Sequence, residues 1–152
     1  MNLIGMKSKF SAPTFKPIGF VRKGKIWIEK KWIKGLQGVE DFSHIIVLFW
    51  LNQAHKPELF IHPRGNEKVP KTGLFATRTP HRPNPIGLTV VKLLKHRGSS
   101  LEVEGLDAWD GTPILDIKPY TKKEEIKGYR LPEWIHTLDK AEADPLRKYG
   151  SA

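Results

Sequence analysis

The longest apolar run in the chain, IIVLFWL from Ile45 to Leu51, is seven residues long. That length suits a strand crossing a core and falls far short of the roughly 20 residues of a membrane span. The same short-period pattern recurs on both sides of it. FKPIGFVRKGKIWIEKKWIKGL alternates around a turn at Lys23-Gly24-Lys25 and reads as a hairpin from Phe15 to Ile33. GLQGVEDFSH is a short helical or turn segment leading into the buried strand. An extended piece is expected at Leu59 to His62 and a strand at GLFAT. A second hairpin joins GLTVVKLLKH to LEVEGL across the turn RGSS, and a last strand lies in TPILDIKPY. There Leu115 and Ile117 are expected to face the core, with Asp116 and Lys118 together on the other side.

About six to seven short strands with short connections describe a mainly β chain, closed into a single-sheeted barrel or folded as a sandwich, with short peripheral helices. Closure removes the exposed edges that short strands otherwise present. The 152 residues amount to one domain. Residues 1–14 read as a flexible tail, 15–120 as the barrel, and 121–152 as a partly helical extension with a helix from Glu133 to Ala143. The chain has no cysteine, so disulfides and thiolate metal sites are excluded. With no signal-peptide core at the N-terminus, a cytoplasmic protein with no membrane and no metal partner is expected.

Lys and Arg outnumber Asp and Glu by 26 to 16, a net charge of +10. That excess points to a nucleic-acid partner, although solvated surface lysines would also produce it. Lys23, Lys25, Lys30, Lys31 and Lys34 in the first hairpin are candidates for tracking an RNA backbone with a steep salt dependence. The same lysines could simply guard a strand edge against aggregation.

Several chemistries are excluded. GFVRKGK (Gly19 to Lys25) has P-loop spacing, but Ile26 stands where the magnesium-binding Ser or Thr belongs and a strand continues where a helix should open. No G-x-G occurs, so the dinucleotide fingerprint is absent. The six histidines lack ligand spacing, and no G-x-S-x-G elbow is present. His44, at the mouth of the buried strand, reads as a structural histidine.

Three clusters carry chemistry. EDFSHIIVLFWLNQ ends its strand in Asn52 and Gln53, amides able to read a polar edge or merely to cap a loop. GLFATRTPHRPNPIGL stiffens Arg78, Arg82 and Asn84 between prolines, as a preorganised anion site would require. VEGLDAWDGTPILDIKPY gathers Glu104, Asp107, Asp110 and Asp116 with Lys118 and Tyr120. The Asp116–Lys118 pair could equally be a surface salt bridge of little energetic weight.

GVEDFSHIIVLFW, GLFATRTPHRPNPIGLTVVKL and GLDAWDGTPILDIKPY together resemble the TrmO (TsaA-like) family of S-adenosylmethionine-dependent tRNA methyltransferases, over about Ile18 to Tyr120. The resemblance implies a homodimeric β-barrel enzyme that methylates N6 of N6-threonylcarbamoyladenosine at position 37 of tRNA. Carried over by motif, cofactor contacts fall on Asn52, Gln53, Arg78, Leu88, Glu104, Gly105, Leu106 and Asp107. Arg82, Asn84, Asp116, Lys118 and Tyr120 are left for the acceptor nucleotide and for orienting the reacting nitrogen. The proline loop would then hold Arg78 and Arg82 on opposite sides of one turn.

Two departures from the bacterial pattern stand out. A tight lysine-rich hairpin replaces a longer segment with a further cofactor contact, and a short, different tail follows Tyr120 in place of an additional domain. Two other readings are open. One is a non-catalytic RNA-binding barrel in which Trp27 and Trp32 stack bases. The other is a methyltransferase of the same fold with a different acceptor.

Overall fold

In the computed structural model, which describes residues 14–142, the alternating runs become eight strands. They are β1 (Gly19–Arg22), β2 (Lys25–Ile28), β3 (His44–Trp50), β4 (Phe60–Ile61), β5 (Thr72–Gly73), β6 (Ile86–Arg97), β7 (Ser100–Glu104) and β8 (Pro113–Pro119), followed by helix α1 (Glu133–Glu142). Six of them close an antiparallel barrel in the order β1-β2-β7-β6-β3-β8, while β4 and β5 form a separate ribbon. Every barrel strand runs opposite to both neighbours. One rim therefore collects the ends of β1, β7 and β3 and the starts of β2, β6 and β8. The connections at this upper rim are the turn 23–24 and the loops 51–85 and 105–112. The lower rim carries residues 29–43, the turn 98–99 and everything after β8.

Alternation explains the core. Val21 on β1, Ile26 and Ile28 on β2, Ile45, Val47 and Phe49 on β3, Val91 on β6, Leu101 on β7 and Ile114 on β8 all point inward and are buried. Each such side chain contributes roughly 1.5–3 kcal/mol by leaving water. The turn between β1 and β2 is tight because Lys23 and Gly24 both adopt positive φ, +52° and +68°, the conformation whose twist matches a two-residue hairpin.

The strand pattern departs from the sequence reading in four places. The first hairpin stops at Ile28, and Lys30–Leu36 form a 3-10 helix that drives Leu36 into the lower end of the core. GLFAT contributes only Gly73 to β5 before turning into a 3-10 helix at Leu74–Ala76, which buries Leu74. Leu59 to His62 shortens to Phe60–Ile61. In β8 the core residues are Ile114 and Ile117, not Leu115 and Ile117, because a bulge at Leu115 shifts the register: Phe49 pairs with Ile114 but Leu48 with Asp116. The expected C-terminal helix is present as α1. Ala143 and nearly all of the 1–14 segment lie outside the described residues.

Three carboxylates, Glu40 and Glu124 exposed and Glu102 half-buried, are held below their ordinary value of 4.5: Glu102 by a hydrogen bond from Lys25, Glu40 by a backbone N–H and then His96, and Glu124 by the side chain and backbone of Thr121. A lowered folded-state pKa adds stability that is complete above 4.5 and lost as pH falls through the shifted values. Lys118 is raised above 10.5, chiefly by its hydrogen bond with Asp116, so its contribution persists until strongly alkaline pH. A thermal-unfolding series is therefore expected to be flat from about pH 5 to about pH 10 and to decline on both sides. The declines should be shallow, since water screens exposed pairs. A midpoint that climbs on acidification below pH 4.5 would refute the assignment.

Candidate functional site

The bulge in β8 and the register of β3 decide what meets on the outer face of β7-β6-β3-β8. Since Ile45, Val47 and Phe49 face inward, His44, Ile46, Leu48 and Trp50 face out. Leu88 on β6, Leu48 on β3 and Asp116 on β8 form one row across three strands. Val90, Ile46 and Lys118 form the next. Glu104, Lys92 and His44 form a third, which continues to Tyr120 through its N–H donated to the His44 carbonyl at 3.1 Å. With strands about 4.8 Å apart, Leu88 and Asp116 stand about 10 Å from one another. Five of the motif residues, Leu88, Glu104, Asp116, Lys118 and Tyr120, thus share a single surface although 32 positions separate the first from the last.

The upper-rim loops bring more of the set to the same place. Arg78 Nη2 donates to the carbonyl of Leu88, bridging the proline loop to β6. His81 Nδ1 accepts the N–H of His55 at 2.9 Å, and the two imidazoles stack at 5.1 Å. That contact ties the proline loop to the segment that follows Asn52 and Gln53, both exposed at the end of β3. Gly105, at φ +92°, turns the chain out of β7, so that Leu106 packs on the core while Asp107 stays exposed.

Arg82 does something different from Arg78. Its Nη1 donates to the carbonyl of Thr77 at 2.8 Å, with Leu74 and Thr79 carbonyls at 3.5 Å, and its guanidinium sits 5.7 Å from the Phe75 ring. It braces its own loop, leaving Nη2 and Nε without a bond among the described residues. The Asn84 side chain is exposed, and its carbonyl accepts the Ile86 N–H at 2.7 Å, squaring the exit of the loop into β6.

On β8, Lys118 Nζ lies 2.8 Å from Asp116 Oδ2, and Asp116 Oδ1 accepts the Ile117 N–H at 2.9 Å. The latter bond occupies a donor that β1 leaves open, because β1 pairs with β8 only at Gly19 with Ile114 and Phe20 with Pro113. Where the two strands part, a groove of about 460 Å³ opens, walled by Trp32, Phe42, Ile117 and Asp116.

The five lysines do not form one surface. Lys23 and Lys25 belong to the upper rim, and Lys25 pairs with Glu102 at 2.9 Å. Lys30, Lys31 and Lys34 sit on the 3-10 helix at the lower rim, where Lys31 meets Glu29 at 3.0 Å and lies over Trp32. The alternation that assigned them to a hairpin is broken by the helix. Sequence reading missed His44, Lys92 and Val90 as members of the outer face. The signal for His44 was its odd spacing from Ile45, Val47 and Phe49. Its Nδ1 is 2.9 Å from Ser43 Oγ and its ring meets Tyr120 edge-on at 6.4 Å. No cluster of three or more His, Asp or Glu suited to a metal ion occurs among the described residues, and no described helix is long and apolar enough to cross a membrane.

The donor set suits an amphoteric nucleoside with an amino-acid arm. Exposed leucine offers an apolar surface to a base, Asp107 and Glu104 can accept from hydroxyl or ammonium groups, and Arg78 can take a carboxylate.

Comparison with known proteins gives the same fold and the same surface a context. Residues 5–125 match the family described as the tRNA-methyltransferase O N-terminal domain. A "Probable S-adenosyl-L-methionine-binding protein" of Archaeoglobus fulgidus is 45% identical over 114 residues, 75% of this chain and 29% of its own length. One of the same name from Methanothermobacter thermautotrophicus is 46% identical over 107 residues, 70% of this chain and 76% of its own. The mouse "tRNA (adenine(37)-N6)-methyltransferase" is 50% identical over 91 residues, 56% of this chain and 20% of its own. The crystal structure of TrmO from Pseudomonas aeruginosa superimposes with a TM-score of 0.67 at 28% identity, covering 84% of this chain and 63% of that one. The chain thus spans under a third of the first of these relatives and just under two thirds of the solved structure.

Proposed function

The chain belongs to the tRNA-methyltransferase O N-terminal-domain family, and from that premise we propose that it is an S-adenosylmethionine-dependent methyltransferase acting on N6 of N6-threonylcarbamoyladenosine at position 37 of tRNA. The names of its relatives support both the cofactor and the substrate class. The observation that carries the reading is the row Leu88–Leu48–Asp116, with Arg78 fastened to Leu88. In this reading a cofactor side on β6 and the upper-rim loops stands against an acceptor side on β8.

The bound cofactor would supply an activated methyl group for in-line displacement. The chain's own residues then have to orient the acceptor and exclude water. Asn52, Gln53, Arg78, Leu88, Glu104, Gly105, Leu106 and Asp107 hold the cofactor in this reading. Asp116, Lys118 and Tyr120 meet the acceptor, with Arg82 and Asn84 shaping the loop above it. Lys118 suits the carboxylate of a threonylcarbamoyl group, and Asp116 Oδ2 can accept a proton from the reacting nitrogen when Lys118 turns to that carboxylate. The groove beside Asp116 offers aromatic walls for the base. Residues 15–120 form the catalytic barrel and 121–152 an extension to it, and a cytoplasmic site of action goes with a tRNA substrate.

A homodimer would bury the apolar stripe beyond that row. Val90 and Leu94 on β6 are 43% and 53% exposed, and a two-fold partner seated on them would leave Leu88 to the cofactor.

Isothermal titration with S-adenosylmethionine and S-adenosylhomocysteine, followed by methyl transfer to unmethylated tRNA, tests the reading. Binding of both ligands and labelling of the tRNA are expected. Cofactor binding without labelling would point to a different acceptor. RNA binding with no heat from either ligand would leave a non-catalytic RNA-binding barrel.

A further inference from the structure

A second outer face adjoins the first, over β1, β2, β7 and β6. Its register produces two parallel rows. Arg22 pairs with Lys25, Lys25 with Glu102 and Glu102 with Lys95. In the adjoining row Phe20 pairs with Trp27, Trp27 with Ser100 and Ser100 with Arg97. Arg22, Phe20, Trp27, Lys95 and Arg97 are exposed on this face, since Val21, Ile26, Ile28 and Leu101 fill the inside, while Ser100 is buried, its Oγ donating to the Arg97 carbonyl at 3.1 Å. Phe20 and Trp27 are each 43% exposed, although as a directly opposed aromatic pair they could have been covered by a loop. The indole Nε1 donates to the Arg22 carbonyl at 3.3 Å, which fixes how the ring lies on the sheet.

We propose that this face is a stacking platform for unpaired bases of an RNA strand, with Arg22, Lys25, Lys95 and Arg97 contacting the flanking phosphates. The proposal deepens the tRNA-directed reading above and rests on it for the choice of RNA. Exposed aromatics in the middle of a sheet, framed by cations, match how single strands are held: every base has a π-face, and the backbone supplies the charge. Four cations face one carboxylate, Glu102, and Lys25 already neutralises it. A two-fold copy of the same face would set these cations against one another, which disfavours self-association here, unlike on the apolar Val90 and Leu94 stripe. The platform also adjoins the upper rim. The loop 105–112, which carries Asp107, is fastened to β1 by the Gly111 N–H on the Val21 carbonyl at 2.7 Å and to the β1–β2 turn by the Lys23 N–H on Asp110 Oδ2 at 2.9 Å. An RNA strand stacked on Trp27 could therefore continue to the cofactor end. Trp32 is not part of it, since it lies on the lower rim beside the groove.

The test is fluorescence anisotropy of the full chain with dye-labelled unmethylated tRNA at fixed salt, with no cofactor added. Trp27→Ala and Phe20→Ala are each expected to weaken binding about tenfold, and Trp27→Phe to restore most of it. Lys95→Ala should lower the slope of log affinity against log salt by about one. S-adenosylmethionine titrations of the same variants should match the wild type, which separates loss of the platform from misfolding. A wild-type protein that binds RNA but gives no heat with the cofactor would overturn the methyltransferase reading and leave the platform standing. Unchanged RNA affinity in Trp27→Ala and Phe20→Ala would overturn the platform, as would Trp27→Ala dissociating a dimer.

Discussion

Arg78→Ala is expected to lower the affinity for S-adenosylmethionine by about 100-fold while leaving the unfolding temperature within a degree or so of wild type. The loss reflects one or two charge-assisted hydrogen bonds at about 1.5–3 kcal/mol each. Arg78 is exposed and contributes nothing to the core, so stability has little to lose. One of its nitrogens is committed to the Leu88 carbonyl, and Nε and Nη1 make no bond among the described residues. A guanidinium can serve a carbonyl and a ligand carboxylate together because its donors are spread over a rigid plane. A lysine ammonium is a single point. Arg78→Lys should therefore recover only a minor part of the affinity. Calorimetric titration of the three proteins is decisive: an affinity for Arg78→Ala within threefold of wild type would remove the proline loop from the cofactor site.

Gly87→Ala should be a severely damaging single-methyl change in the barrel. A Cβ at Gly87 would lie 2.2, 2.5 and 2.7 Å from Cε2, Cζ and Cδ2 of Phe49, its cross-strand partner on β3. Phe49 is 3% exposed and walled by the rest of the core, so the ring has nowhere to swing. Overpacking of this kind costs about 3 kcal/mol, or a fall of roughly 6–12 °C in the unfolding midpoint of a chain this size. Pairing it with Phe49→Leu should return part of the loss, and the double-mutant cycle should show favourable coupling of at least about 1 kcal/mol. Because Leu88 follows Gly87, a strand that yields to relieve the clash also moves the cofactor side of the row. A weaker cofactor affinity in Gly87→Ala is thus expected alongside the stability loss. Wild-type thermal stability in this variant would show that the close approach of β6 to Phe49 is not a real constraint.

The hairpin turn, β3, the long β6 and the strand in TPILDIKPY were legible because each rests on local chemistry: positive φ at Gly24, seven alternating or apolar residues, a turn at Gly98. The motif residues were legible for a different reason, since they stand in long quoted segments that resemble a family. The misreadings share one cause. WIEKKWIKG alternates like a strand, yet Lys30–Leu36 coil into a 3-10 helix because Leu36 is needed to close the lower end of the core. A barrel wall must also fit its neighbours, and the bulge at Leu115 is how β8 matches β3 while delivering both Ile114 and Ile117 inward.

The sequence by itself determined that the chain is β-rich, basic and free of thiol chemistry, and which side chains carry charge or hydrogen bonds. Those are properties of composition and of two-residue alternation, which depend only on near neighbours. What stands beside what was decided by the tertiary structure. Leu88 and Asp116 share a row only because both pair with Leu48, and Phe20, Trp27, Ser100 and Arg97 line up only through three separate registers. Register follows from packing every inward side chain into one closed core, and a one-residue slip on any strand would send its row to the wrong face.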